Sequence, residues 1–519
     1  MLKKAASLCI PHADRPAAFS PCCRPSGSRT TRTLRASKRL RPCWTDFFEY
    51  SLPLIAYGVY VPHEANDSTV RSMKRTTELF ILLGSVCKWF VLGSSVGIVV
   101  GSSTALFLFI LQTGLALTDR IPYAIALLPL GLMLSAWLTT RVSPEAQGHG
   151  TERVIQAIHR REGLIEARVI PTKLLATIVT IASGGSAGNI GPCAQIGSGL
   201  CSVFAVLFRI DDIDRKRLVI CGISAGFAAV LGAPVAGAVF AAEALFIGRI
   251  YYGALLPCVT SAMVGHYVAT AWGVEHLHPG LLTIPPLTLP LFLTTGAAGI
   301  VFGLGGLLFI EILNRGKDLA DVVRPYGITM GLVGGLGLAA LAMAFSHDVL
   351  GLGWNTISQT LKGESVVWYA FLLKTVATSI TLNFGGSGGI LLPIFFVGSS
   401  LGSLFAEWLQ VDLATFAALG FVSLLAGATN TPITAIVLAV ELFSPELVPY
   451  AAITSTMSFL LTGHHSAIPT QILPDSKSPS ITIGSTVEIE QATWSAAPRY
   501  TDMIQKVKNI LKPRNRSPE

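Results

Sequence analysis

The chain has 519 residues, of which 51% are hydrophobic and only 13% charged, with a formal net charge of +8. A soluble globular protein carries about 25% charged residues, so this composition argues against a soluble enzyme and for a polytopic helical membrane protein. The length alone would suggest several domains, but the hydrophobicity is continuous enough to argue for one large membrane bundle. Residues 1–44 hold Lys3, Lys4, Arg15, Arg24, Arg29, Arg32, Arg35, Lys38, Arg39 and Arg41 against one acid, Asp14. Residues 1–72 are therefore read as a basic, disordered N-terminal extension. Their Arg- and Ser-rich, acid-poor start also fits a transit peptide, and Met73, heading MKRTTELFILLG, is an alternative start. Apolar stretches follow at 80–117, 123–138, 289–312 and 330–345, and a span needs about 20 such residues. HRREGLIEAR (159–168) and DDIDRKR (211–217) are predicted cytoplasmic loops by their Lys/Arg content. Both termini are placed on the same side, the tail by Lys506, Lys508, Lys512, Arg514 and Arg516. The basic ends are topogenic on this reading, with no nucleic-acid partner. Cys87, Cys193, Cys201, Cys221 and Cys258 lie in apolar segments as small packing residues, with neither a metal site nor a disulfide framework expected.

The chain repeats itself. KLLATIVTIASGGSAGNIGPCAQIGSGLCSVFA from Lys173 aligns without a gap on KTVATSITLNFGGSGGILLPIFFVGSSLGSLFA from Lys374, at an offset of 201. Lys173 meets Lys374, Thr177 meets Thr378, Thr180 meets Thr381, and Pro192 meets Pro393. A second match, at an offset of 198, lays Pro234 on Pro432 and Glu243 on Glu441. The predicted repeats cover 77–250 and 289–475.

Duplicated halves with Gly/Pro-interrupted apolar segments at matching positions point to a midplane binding site. Irregular backbone at membrane depth is tolerated only where protein buries it or it lines a cavity. A helix starting there presents unpaired N–H groups and the positive end of its dipole, which suits an anion. Glycine lets the backbone approach, and proline in the first turn removes no needed donor. Gly191-Pro192 and Leu392-Pro393 are therefore predicted half-helix starts. The fold expected is all-α and integral to the membrane, with two inverted-topology repeats whose broken half-helices meet at a midplane anion site.

At these residues the chain resembles the CLC family of chloride channels and chloride/proton antiporters, over residues 75 to 475. The family's G-S-G-I-P stretch corresponds to Gly148-His149-Gly150-Thr151-Glu152. Its G-(K/R)-E-G-P corresponds to Gly188-Asn189-Ile190-Gly191-Pro192, and its G-G-I-F-x-P to Gly388-Gly389-Ile390-Leu391-Leu392-Pro393. Its tyrosine falls at Ile468. The resemblance implies a transmembrane domain over 73–475, a cytoplasmic tail over 476–519, and an anion site at Gly148, His149, Gly150, Gly188, Ile190, Gly191, Ile390, Leu391 and Ile468. It also implies a homodimer in a cell (inner) membrane. The 48 residues after Gln471 are too few for the paired nucleotide-sensing (CBS) domains of many eukaryotic relatives. No cofactor is implied and no enzymatic motif stands out.

The departures set the functional expectations. Ile190 replaces the family's gating glutamate and Ala244 its inner proton glutamate, so the function expected is passive chloride or small-anion permeation without proton coupling. Ile190 can equally be an apolar plug. The rivals are an antiporter with another proton route and a non-conducting membrane scaffold. His149 offers either a titratable donor to the anion or a neutral vestibule lining. Glu152 is read as a first-turn acid favoured by the helix dipole, rather than a charge facing the anion. Glu243 and Glu441, ending matching helices, are read as structural despite their place in the membrane. His464 and His465 are expected solvated in a loop.

Overall fold

The computed structural model describes residues 67–121, 124–276, 284–286, 288–483, 487–489 and 494–496. The N-terminal extension lies outside the described residues as far as residue 66, as do the basic C-terminal residues from 497 on.

Sixteen α-helices follow one another among the described residues: α1 Asp67–Thr118, α2 Leu127–Arg141, α3 Gly150–Arg160, α4 Val169–Ala182, α5 Ile190–Leu207, α6 Asp212–Leu231, α7 Pro234–Glu243, α8 Leu255–Ala271, α9 Leu289–Val323, α10 Thr329–Ala344, α11 Trp354–Leu361, α12 Ala370–Asn383, α13 Leu391–Leu409, α14 Leu413–Thr429, α15 Pro432–Leu442 and α16 Val448–Leu461. The predicted apolar stretches fall in α1, α2, α9 and α10. The 52 residues of α1 extend about 78 Å at 1.5 Å per residue, well beyond a hydrocarbon core of about 30 Å. Phe80, Leu83, Phe90 and Phe109 on α1 and Leu293 and Leu304 on α9 are exposed, an outward apolar surface suited to contact with lipid. The half-helices sit deeper. α13 and α5 are far more enclosed by protein than α1 and α9. Broken helices are thus shielded by whole ones, as backbone satisfaction in lipid requires.

The sequence repeat is a structural repeat, with α4 to α7 matched by α12 to α15. Its seam is bonded reciprocally. Ser387 N donates to Thr180 Oγ1 and Ser186 N to Thr381 Oγ1, both at 3.0 Å. Thr177 and Ser387 hydroxyls lie 3.3 Å apart, and Ser186 and Thr378 hydroxyls 3.2 Å. Gly188 N donates to Gly389 O at 2.8 Å and Gly389 N to Gly188 O at 2.7 Å. Each contact recurs with its partners exchanged, the mark of a two-fold relation. Since α5 and α13 begin at this seam, they run away from it in opposite directions, and the repeats are inverted. The turns that bring the chain there use Gly184 at φ +101° and Gly385 at φ +100°, conformations that only glycine adopts without strain.

Two expectations change. DDIDRKR is not a loop beyond Asp211: Asp212 begins α6. Asp212 and Asp214 stand in its first turn, where the helix dipole favours acids, and Asp214 is paired with buried Lys88 at 2.6 Å. Cys193, Cys201, Cys221 and Cys258 are buried as expected of packing residues, but Cys87 is exposed on α1.

Short two-stranded ladders also form, one beside the seam and two after α16. Strands β1 (Gly148–His149) and β2 (Ser387–Gly388) pair in parallel near the seam. Strand β3 (Ile472–Leu473) pairs antiparallel with β5 (Val487–Glu488), and β4 (Ile481–Ile483) with β6 (Trp494–Ala496).

Candidate functional site

Three helix starts converge. The first is α3, which β1 delivers from Gly148, with register Gly148 to Ser387 and His149 to Gly388. The buried Lys173 ammonium fixes that turn by donating to Gly148 O at 2.6 Å and Ala146 O at 3.2 Å. The second and third are α5, with Asn189 at its N-cap, and α13, with Ile390 at its N-cap. Their approach is measured by what a methyl group would strike. A Cβ on Gly150 would lie 2.5 Å from Gly191 O, and one on Gly191 would lie 2.9 Å from Gly389 Cα and 3.7 Å from Gly150 N. Alanine at Gly150 or Gly191 has no room, so these glycines permit the convergence itself.

Apolar side chains crowd this junction, with Asn189 and Thr151 the buried polar ones beside it. Ile190, Ile390, Leu391 and Ile468 are all buried to 1% exposure or less and belong to one continuous core cluster. Ile190 is the first residue of α5 and Leu391 the first of α13. The first turn of α5 contains no acid. Besides the buried Asn189 side chain, backbone N–H groups and helix dipoles are the polar elements that the starts of α5 and α13 offer.

An open cavity of about 690 Å³ reaches the junction along Gly148 and His149, and Glu152, Arg153, His465 and Thr470 also line it. Ile190, Ile390, Leu391 and Ile468 lie beyond its wall. Ile468 enters through the segment after α16. There Ala467 N donates to Ala428 O at 2.8 Å, and the Thr470 hydroxyl donates to Glu152 O at 3.3 Å. Gln471, fully buried, donates to Ala244 O at 2.9 Å and Thr429 O at 2.8 Å, and its Oε1 accepts from Ser466 Oγ and Asn430 Nδ2. Ala244 supplies its carbonyl to Gln471 and its N–H to Phe240 O, and its side chain offers no polar group.

His149 and Glu152 meet: Nδ1 lies 3.0 Å from Oε2, although the approach falls outside hydrogen-bond geometry. Glu152 also stands in the first turn of α3, so the dipole reading and the pairing with His149 hold together. His464 is half-buried and accepts from Lys477 N at 3.2 Å, so only His465 is exposed as expected. Burial, with Lys477 and His465 nearby, lowers the His464 pKa below 6.5. Among the described residues, no group of three or more His, Cys, Asp or Glu is placed to hold a metal ion.

The roles of Lys173 and Lys374 were not read from the sequence, although their alignment was visible. Lys374 donates to Val349 O at 3.0 Å and Gly351 O at 2.9 Å, as Lys173 does in the first repeat. Gln471 carried no signal that would have singled it out.

Residues 131–463 match the family model described as voltage gated chloride channel. The chain belongs to the CLC family. A "Chloride/fluoride channel protein" of Pseudomonas syringae pv. tomato (strain ATCC BAA-871 / DC3000) is 36% identical over 410 residues, covering 78% of this chain and 90% of that one. An H(+)/Cl(-) exchange transporter of Yersinia pestis bv. Antiqua (strain Angola) is 28% identical over 364 residues, 64% of this chain and 74% of its own. The crystal structure of a CLC-type fluoride/proton antiporter superposes with a TM-score of 0.71 at 28% identity, covering 76% of this chain and 99% of that one. A slow cyanobacterial Cl-/H+ antiporter superposes with a TM-score of 0.65 at 20% identity, over 72% and 94% of the two chains, which shows the shared fold. The protein is thus an all-α, multi-pass CLC membrane protein of an anion-transporting family.

Proposed function

We propose that this CLC protein is a passive, proton-uncoupled path for small anions, chloride and fluoride among them. The anion is held by helix N-termini at Gly148, His149, Gly150, Gly188, Ile190, Gly191, Ile390, Leu391 and Ile468. The observation that carries the reading is Ile190. It begins α5 as a fully buried apolar residue at the position of the family's gating glutamate, and it cannot bind a proton or imitate an anion. Ala244, at the position of the inner proton glutamate, has no polar side-chain group, and its carbonyl accepts from Gln471. Proton routes through membranes are normally built of ionisable side chains, and both relay points lack one. The same reading gives a transmembrane domain over 73–475, cytoplasmic termini, a homodimer and a cell (inner) membrane. Fluoride joins chloride because the Pseudomonas relative is named for both.

The second reading is proton-coupled exchange, favoured by the names of the Yersinia relative and of the antiporter that superposes on this chain. Purified protein in liposomes separates the two. Anion efflux down its own gradient, with no stoichiometric proton movement in the opposite direction, is the expected result. Anion accumulation driven by a pH gradient alone would replace the first reading by the second.

A further inference from the structure

We propose that Lys477 is a positioning residue for anion transport, pinning the C-terminal tail to the ends of α14 and α16 and so holding the segment 464–471 that walls the cavity and carries Ile468. The proposal rests on the anion-transport reading above. The Lys477 ammonium donates to Asn430 Oδ1 at 2.5 Å and to Phe459 O at 2.8 Å, and lies 4.0 Å from the centre of the Phe459 ring. Among the described residues no carboxylate pairs with it, and burial pushes its pKa down to about 7. An ammonium taken out of water without an acid is costly, and two helix ends offset that cost. Asn430 is the left-handed C-cap of α14. Phe459 stands in the last turn of α16, where a helix leaves its carbonyls open and its dipole favours a cation.

The groups that Lys477 binds also hold the wall. Asn430 Nδ2 donates to His465 O at 3.1 Å and to Gln471 Oε1 at 3.2 Å, and Lys477 N donates to His464 Nε2 at 3.2 Å. His464, His465, Ser466, Ala467, Pro469 and Thr470 line the cavity, and Lys477 itself is no part of that lining. An ammonium only donates, whereas an amide presents an acceptor on one side and donors on the other. Lys477 therefore draws the Asn430 oxygen toward itself and turns the Asn430 N–H groups toward His465 and Gln471. Without the ammonium, nothing in this arrangement selects that orientation, and both ends of the wall segment lose a fixed donor.

The test measures chloride efflux from liposomes and backbone hydrogen exchange for full-length wild type, Lys477→Met and Lys477→Arg. Methionine keeps the stem and removes the donors, whereas arginine keeps donors and charge. Lys477→Met is expected to lower flux per folded molecule about fivefold, the weight of one hydrogen bond. It is also expected to speed exchange across 464–471 while leaving 186–189 at the seam as slow as in wild type, with Lys477→Arg nearer to wild type on both readouts. Unchanged flux in Lys477→Met overturns the proposal. Faster exchange at both places marks a general loss of stability, and lost flux with unchanged exchange marks the charge of Lys477 rather than its hold on the wall; either also overturns it. If the methionine variant is not monodisperse, Lys477→Gln, which keeps a donor without the reach, makes the same comparison. A wild type that moves no anion defeats the transport reading, and exchange then decides the hold of Lys477 on the wall separately. Acceleration confined to 464–471 supports that hold, and unchanged exchange overturns it.

Discussion

Glu243 and Glu441 hold each other's helices. Glu243, the last residue of α7, accepts from Ile433 N at 3.0 Å and Thr434 N at 2.8 Å at the start of α15. Glu441, near the end of α15, accepts from Val235 N at 2.8 Å and Ala236 N at 2.7 Å at the start of α7. Each carboxylate satisfies donors that a helix start leaves open and meets the positive end of a dipole. An acid at the end of its own helix is poorly placed there, and here the neighbour's N-terminus compensates.

Removing either acid strands the donors it serves. Glu243→Ala leaves two N–H groups and the Thr434 hydroxyl, which also bonds Glu243 at 2.6 Å. An unsatisfied buried donor costs about 1–3 kcal/mol. Glu441→Ala leaves two, at a site more open to solvent. Thermal unfolding in detergent should show both variants destabilised, with the larger fall in melting temperature for Glu243→Ala. Unchanged melting of Glu243→Ala would refute the capping role.

Lys173 and Lys374 are equivalent by repeat but not by neighbourhood. Lys173 clamps Ala146 and Gly148, the turn that delivers His149 and α3, whereas Lys374 clamps Val349 and Gly351. Methionine matches the stem and deletes the donors. Both variants should lose stability, since buried carbonyls lose their partner. Lys173→Met should also lower anion flux per folded molecule severalfold more than Lys374→Met. Flux assays normalised to monodisperse protein check this, and equal losses would detach the Lys173 turn from transport.

Ile190→Glu places a carboxylate at the first residue of α5, beside the N–H donors proposed for the anion. Ionised, it should occupy those donors and suppress flux at about pH 7.5. Protonated, it should release them, against a reference glutamate pKa of roughly 4.3 that burial raises. Efflux at about pH 7.5 and 4.5 should therefore be blocked and then partly restored, without antiport, because Ala244 still lacks a titratable group. Wild-type flux at both pH values would mean that Ile190 does not line the path.

Arg160 and Glu488 tie the β3–β5 ladder to the end of α3 through an ion pair with two hydrogen bonds. The hydrogen bond and charge of Arg160 outweigh partial burial and lower the Glu488 pKa below 4.5. A depressed carboxyl pKa contributes stability that is present above the unfolded value and lost as pH falls through the folded one. The contribution is small, since the Arg160 side chain is 46% exposed and solvent screens it. Hydrogen exchange should show the backbone of 472–473 and 487–488 protected at neutral pH and loosened in acid below 4.5. Glu488→Gln should loosen it at both, and identical exchange in the two proteins would show that the pair does not dock the ladder.

The repeat, the inverted fold and the half-helix starts were legible because Gly/Pro breaks in apolar sequence have few physical uses. The structural role of Glu243 and Glu441 was legible from their repetition, but not the crossing of their bonds, since sequence offsets do not say which copy a side chain reaches. The partnership of His149 with Glu152 lay three residues apart on one helix start, yet each was weighed alone. Gln471 was invisible for another reason. A lone glutamine after the last helix has no periodicity, and its four side-chain bonds depend on the ends of α7 and α14 and on Ser466 of its own segment.

The reciprocal bonds at the seam say how the two halves are joined. Ser186 N reaches Thr381 and Ser387 N reaches Thr180, so each of these turns finds its acceptor in the opposite repeat. A chain opened between Trp272 and Leu289 would retain every donor and acceptor of the seam. The molecule is bonded as a dimer whose two subunits share one polypeptide.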